Sequence, residues 1–331
     1  MKHFGKRGMF DSVTVTAPAR LHLGFLDLNG GLGRRFGSLG LAIDAPATRL
    51  SIRRAATLEV EGVERDRAMR HLELLARRFG LQSAYKLIVR DAIPAHAGLG
   101  SGTQLALAIA AALRRLEGLA PDAPDDAALL QRGERSGIGA GLFDRGGLIV
   151  DGGRGELTRT PPVIARMEFP QEWRVILVLD KRIEGVHGPR EREAFAQLAP
   201  FKAAAAAEIC RLVLVKALPG LAERDLSSFG DAIARIQDVV GEYFAPAQGG
   251  APFASPAVAE VMRELRRHGA KGTGQSSWGP TGFAFAVNLH EAQHLCDLVH
   301  EKVVTLGVDI AICNGLNHGA LVKGESFAAV N

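Results

Sequence analysis

Apolar and polar residues alternate over residues 13–16 and apolar residues cluster over 21–26, on either side of Pro18, so the pattern predicts two early strands. Similar short runs near 39–43, 48–52, 58–60 and 85–90 predict four more. Between 65 and 78 the period lengthens. Met69, Leu72, Leu75 and Phe79 recur every three or four residues with basic residues between them, which predicts an amphipathic helix. An alanine- and leucine-rich helix is predicted from Ser101, another from Asp125 toward Glu134, and then a glycine-laden turn into a strand at 147–150. Residues 151–170 are rich in Gly and Pro and mark a boundary, which divides the chain into 1–160 and 161–331. Beyond it come a strand at 173–179 and helices at about 189–198, 201–216, 225–240 and 255–268. A strand at 282–287, a helix at 291–304 and strands near 308–312 and 319–323 follow. This late β-α-β-β order predicts a split βαβ sheet with helices on one side, and hence an α+β fold.

Composition narrows the function classes. In 331 residues, 47% are apolar and 23% charged, enough to bury a large core and too few charges for a disordered chain. The formal charge is only +4, the basic residues are scattered and aromatics are 6%, so no nucleic-acid partner is expected. Arg supplies 31 of the 40 basic residues, which favours forked recognition of phosphates or carboxylates, although genomic base composition also raises Arg. Cys210, Cys296 and Cys313 lie far apart without a CxxC pair, so neither a disulfide framework nor a thiolate zinc site is expected. The start of the chain lacks a signal peptide's apolar run, and the longest apolar run, 105–113, is far short of the ~20 residues that span a bilayer. The expectation is a soluble, cytoplasmic protein with no membrane partner.

Candidate chemistry concentrates where Gly98-Leu99-Gly100-Ser101-Gly102-Thr103 opens the long helix. A helix start leaves its first N–H groups without carbonyl partners and carries about half a positive charge. Gly98, Gly100 and Gly102 place no side chain in front of those groups, and Ser101 and Thr103 add hydroxyls, so a phosphate or pyrophosphate fits there. The alternative is a plain turn capped by Ser101. No Lys follows the glycines, which excludes a Walker loop, and the GLGSG spacing disfavours a dinucleotide fold.

Pro94 followed by this glycine turn and an Ala/Leu helix resembles the phosphate loop of the GHMP kinase superfamily. Pro18-Ala19-Arg20-Leu21-His22-Leu23-Gly24, with Asp27 and Gly30-Gly31, resembles its N-terminal motif. Lys271-Gly272-Thr273-Gly274 stands where its C-terminal glycine loop is expected. The continuation Gln275-Ser276-Ser277-Trp278-Gly279-Pro280-Thr281 and the central Ser136-Gly137-Ile138-Gly139 with Gly146 to Gly153 resemble one branch, the β-ribofuranosylaminobenzene 5'-phosphate synthase family.

That resemblance implies a GHMP kinase-like two-domain α+β fold with a ferredoxin-like split βαβ C-terminal half. It also implies a reaction. Phosphoribosyl pyrophosphate is joined to 4-aminobenzoate with release of CO2 and pyrophosphate, the first dedicated step toward tetrahydromethanopterin. It implies Mg²⁺ near Ser101 and Glu134, a carboxylate that is otherwise a solvated helix residue, and a homodimer. Arg20 and His22 are expected to hold a carboxylate or a phosphate. Asp144 stands near the kinases' catalytic Asp, ten residues after Glu134. Gly272, Thr273, Gly274, Gln275, Ser276 and Ser277 are expected to bind substrate beside Gly98, Gly100, Ser101, Gly102 and Thr103. Trp278 either stacks on the aryl ring or packs in the core. Arg34 and Arg35 either reach the 5'-phosphate or are solvated, and Lys181, Arg182 and His187 either line the pocket or cap the next helix. The main rival is an ATP-dependent small-molecule kinase; a silent ligand sensor is a more distant one.

Overall fold

In the computed structural model, which describes residues 10–186 and 188–326, the first two predicted strands are one. β1 (Ser12–Asp27) runs straight through Pro18, and it pairs antiparallel with β2 (Phe36–Ala55). Register shifts at Pro18/Ala19 and His22/Gly24 absorb the proline and bend the strand, as bulges do. β3 (Glu59–Gly62), β4 (Ala84–Asp91), β5 (Leu148–Asp151) and β6 (Val163–Met167) complete a seven-stranded sheet together with the last strand of the chain. β6 lies inside the stretch whose Gly and Pro content predicts only a boundary.

α1 (Arg65–Arg78) and α2 (Ser101–Glu117) pack on this sheet. α2 is buried on nearly every side, and its alanines let β1 and β2 approach closely. The predicted helix after Asp125 is shorter than expected. α3 (Ala123–Leu129) ends before Glu134, and a helix, α4 (Ile138–Arg145), forms where the glycines predict a turn. Those glycines serve packing: a Cβ on Gly139 would stand 2.9 Å from Thr103, and one on Gly141 2.6 Å from Ile149 and Val163.

The second sheet contains β7 (Arg174–Leu179), β8 (Lys271–Gln275), β9 (Thr281–Ala286) and β10 (Asp309–Asn314), in the order β10-β7-β9-β8 with every pair antiparallel. This is the split βαβ arrangement. Between β7 and β8 run α5 (Gly188–Gln197), α6 (Ala203–Leu212), a π-helical turn Val213–Ala217, α7 (Leu218–Ala222), α8 (Leu226–Phe244) and α9 (Pro256–Arg267). α10 (Leu289–Leu306) precedes β10. The expectation of helices on one side is corrected. Ile176, Val178, Ala284 and Ala286 face α9 and α10, whereas Val175, Leu177, Phe283 and Phe285 face α6 to α8. With both faces covered, the strands read as continuous apolar runs.

β11 (Leu321–Glu325) leaves the second sheet and pairs with β1, from Ser12↔Glu325 to Thr16↔Leu321. One apolar core joins Leu21, Leu23 and Phe25 of β1 to Val175, Phe229 and Phe285 of the second half. Among the described residues no helix is long and apolar enough to cross a membrane.

Candidate active site

The glycine turn between β4 and α2 is held from behind by its carbonyls. The His96 carbonyl accepts from the Gly185 N–H (3.0 Å), that of Ala97 from Thr281 Oγ1 (2.7 Å), and that of Leu99 from the Arg20 N–H (3.1 Å). Gly98 O accepts from both Ser276 Oγ (2.8 Å) and Arg20 Nη1 (2.9 Å). Positive φ at Gly98 (79°) and Gly100 (82°) then turns the chain into α2. The N–H groups of Thr103 and Gln104 return to Gly100 O, whereas Ser101 and Gly102 start the helix with no side-chain cap and no acidic residue in the first turn.

That bare end opens on a cleft of ≈370 Å³ that merges, through Arg20, Thr103 and Arg132, with a recess of ≈280 Å³. Arg20, Arg67, Arg132 and Glu191 line the cleft, and Arg20, Arg132, Arg135, Glu134 and Glu191 line the recess. Glu191 is paired with Arg135, whose guanidinium also lies 4.9 Å over the Phe195 ring. The balance is positive. Burial lowers the Arg20 pKa to about 10, against the field of Glu191, so Arg20 stays a cation at neutral pH. Burial, then the charge of Arg67, also lowers that of Arg132.

His22 is 4% exposed, and burial followed by the neighbouring Arg20 holds its pKa well below the usual 6.5. Its Nδ1 accepts from the Gly24 N–H (3.3 Å), which assigns the ring proton to Nε2, an atom without a protein partner. A neutral imidazole beside Arg20 is therefore a hydrogen-bond donor, with no proton to accept at neutral pH.

The sequence-predicted residues separate into three groups. Gly98, Gly100, Ser101, Gly102, Thr103, Arg20 and Ser277 line the cleft, and His22, Glu134 and Ser277 line the recess. A second group works from behind. Ser276 is fully buried, accepts the His22 N–H (3.0 Å) and ties β1 to the glycine turn. Gln275 is spent on Gln248 Oε1 (2.8 Å), Ser277 O (3.1 Å) and the Ala254 N–H (2.6 Å). The third group lies elsewhere. Gly272, Thr273 and Gly274 are in β8 under α8, where a Cβ on Gly272 would stand 2.6 Å from Phe285, and Thr273 and Gly274 border a different cavity. Asp144, at the end of α4, is exposed, reaches Arg145 (3.6 Å) and borders a separate depression with Pro121 and Asp122. Glu134 is in the loop before α4 and not in a helix.

The paired alternatives resolve as follows. Trp278 is buried against Phe244 (4.2 Å) and Phe195 (5.3 Å) and also forms part of the cleft wall. Arg34 holds Gly152 O (2.7 Å) and Gly153 O (2.6 Å), and Arg35 holds Leu28 O (3.1 Å), so both brace the loop after β1. Arg182 pairs with Asp180 (2.8 Å) and Lys181 with Asp309 (2.6 Å); His187 lies outside the described residues.

Sequence reasoning missed Arg67, Arg132, Arg135 and Glu191, none of which stands in a recognisable pattern. It also misses the role of Asp151, which lies between glycines. Its buried carboxylate accepts from Ser136 Oγ (3.1 Å) and the N–H groups of Gly137 (2.9 Å) and Gly153 (2.9 Å), fixing the end of the 130–137 loop. Burial raises its pKa to about 6 in spite of those bonds.

For Mg²⁺, no group of three or more His, Cys, Asp and Glu converges among the described residues. The Ser101 hydroxyl and Glu134 carboxylate are hard oxygen ligands at the cleft and the recess, in a surround dominated by guanidinium groups. This donor set fits a cation that arrives with its anion, phosphate oxygens and water completing the shell, and not a resident bare ion.

Two family models match the chain, the GHMP kinases N terminal domain over residues 66–146 and the GHMP kinases C terminal over 217–303. A beta-ribofuranosylphenol 5'-phosphate synthase of Methanothermobacter thermautotrophicus is 30% identical over 298 residues, 83% of this chain and 89% of that protein. One of Archaeoglobus fulgidus is 36% identical over 239 residues, 68% and 75% of the two chains. Among solved structures, homoserine kinase from Cytophaga hutchinsonii superposes with a TM-score of 0.66 at 17% identity, covering 96% of this chain and 99% of its own, a likeness of fold.

Proposed function

Because the chain belongs to the beta-ribofuranosylphenol 5'-phosphate synthase family, on the GHMP kinase fold, we propose that it transfers phosphoribose from phosphoribosyl pyrophosphate to 4-aminobenzoate. CO2 and pyrophosphate are released, in the first dedicated step of tetrahydromethanopterin synthesis. The relatives are named for a ribofuranosylphenol phosphate, which makes 4-hydroxybenzoate the second acceptor to test.

The observation that carries this reading is the uncapped start of α2, with Arg20 beside it, opening on a cleft lined by arginines. The C1–O bond from ribose to diphosphate breaks, and the ring carbon bearing the carboxylate attacks C1 with a pair of π electrons. The C–CO2 bond then breaks, its electrons restore the aromatic ring, and no proton is exchanged. Such a reaction needs charge stabilisation and alignment more than a nucleophile. The N–H groups of Ser101 and Gly102 meet charge developing on the leaving group. Arg20 holds an anionic group between cleft and recess, and the neutral His22 donates one hydrogen bond without competing for a proton. Trp278 and Val186 exclude water on one side of the cleft. Mg²⁺ carried by the donor would be met by Ser101 and Glu134, and its chemistry is neutralisation of phosphate charge.

The test supplies carboxyl-labelled 4-aminobenzoate or 4-hydroxybenzoate with phosphoribosyl pyrophosphate and Mg²⁺. Labelled CO2 released without ATP is the expected result. Phosphorylation of a small-molecule acceptor that depends on ATP, with no CO2 release, would replace this reading with the kinase one.

A further inference from the structure

Among the described residues, the Arg132 guanidinium in the cleft has no ion-pair partner. Arg132 follows α3, where its backbone N–H returns to Ala127 O (2.7 Å), and its side chain turns toward the first turn of α2. A Cβ built on Gly102 would stand 3.3 Å from Arg132 Nη1 and 3.6 Å from its Cζ. The guanidinium therefore lies against the positive end of a helix. Among the described residues its side chain makes no hydrogen bond or ion pair, and its Nε is buried without a partner.

Three other arginines show the contrast. Arg114 gives three bonds to Asp126, Arg182 is forked on Asp180, and Arg34 holds two carbonyls. Around Arg132 the neighbours make the imbalance worse. Arg67 lines the same cleft and has only the partly exposed Glu64 (3.3 Å) as an ion-pair partner. His71 is neutral at physiological pH, its pKa pushed down to about 4 by burial and by Arg132, Arg67 and Arg70. A helix end and two guanidiniums converge on this wall of the cleft, with Glu191 also lining it, and like charges brought this close favour a multiply charged anion beside them.

We infer that Arg132, assisted by Arg67, is the clamp that holds the donor's diphosphate beside the N–H groups of Ser101 and Gly102. This rests on the phosphoribosyl pyrophosphate reading above and assigns one of that donor's two anionic groups to one place. The diphosphate is the group with the charge to satisfy three positive centres; the smaller 5'-phosphate and the benzoate carboxylate are left to Arg20 and the recess. In the recess Arg135 is already neutralised by Glu191. Gly102 then has a defined purpose, to let the clamp lie against the start of the helix.

Calorimetric titration with Mg²⁺-pyrophosphate and with inorganic phosphate tests this on wild type, Arg132→Gln and Gly102→Ala, with thermal melting as the control for folding. The Ala variant keeps helical geometry and displaces only the guanidinium. Loss of one charge-assisted pair is expected to weaken pyrophosphate binding about 10- to 100-fold in Arg132→Gln. Gly102→Ala should weaken it about fivefold, and Arg132→Lys should restore part of the loss. kcat/KM for the donor should fall in parallel while the benzoate KM holds. Variants that melt as wild type and bind pyrophosphate equally well overturn the clamp and leave the transferase reading standing. Wild-type protein that ignores pyrophosphate and turns over ATP overturns both.

Discussion

Gly98 carries no side chain because a Cβ there would overlap the carbonyl oxygen of Ser276. Gly100 is bare for a similar reason, since its Cβ would meet Arg20 Cγ at 2.7 Å, whereas Gly102 lies against the end of the Arg132 guanidinium. The three glycines expected to share one anion-seating task therefore divide it: two permit close packing and one admits the Arg132 guanidinium beside the start of α2. Gly98→Ala is accordingly expected to lower stability by about 2–4 kcal/mol in denaturant unfolding, through overlap and the φ of 79°, whereas Gly102→Ala is tolerated. Titration of His71 gives a second residue-scale expectation. Its folded pKa of about 4 lies below the ordinary 6.5, so its contribution is complete above pH 6.5 and is lost as pH falls through that window. Asp151 runs the other way: its folded pKa of about 6 lies above the ordinary 3.8, and its contribution, complete below the latter, is lost as pH rises through the former. Comparing His71→Asn with wild type isolates the histidine. Between pH 7.5 and 4.5 the wild type should lose about 2–3 kcal/mol more than the variant, and parallel unfolding curves at both pH values would refute it.

The elements around the site were legible where their signal was local. The period of α1, the alanine run of α2 and the GLGSG turn depend on neighbours in sequence, and all three form as the pattern predicts. Where packing chose the element, the pattern misled. Glycines read as a turn form α4 because Thr103, Ile149 and Val163 press on that helix, and glycines read as a second loop form β8 because α8 lies over them. The junction between β1, the glycine turn and β8 depends on one hydroxyl. Ser276 Oγ accepts from the buried His22 N–H and donates to the partly buried Gly98 O. Ser276→Ala is expected to cost about 1–3 kcal/mol in urea unfolding and to loosen the turn enough to weaken pyrophosphate binding. Unchanged values for both would mean that the junction is held by Arg20 and Thr281 alone.

At the scale of the molecule, the two sheets are not independent. β11 returns to β1, and a single apolar core runs from Leu21 and Phe25 to Phe229 and Phe285. Cutting the chain after Ala320 would expose the edge of β1 over Ser12 to Thr16, an open strand that invites aggregation. The truncated protein is expected to lose its cooperative transition and become insoluble, whereas the full chain unfolds in one step when followed by tryptophan fluorescence and circular dichroism. Separate transitions for the two halves would contradict a shared core. By itself the amino-acid sequence determined those helices and strands whose signal is local, the fold family and the anion-seeking turn, because periodicity, glycine spacing and order along the chain are local properties. Tertiary structure alone decided which charges meet there. Arg20, Arg67, Arg132 and Glu191 come from distant segments, Asp144 and Arg34 are carried away from the cleft, and no spacing along the chain records a convergence that only packing creates.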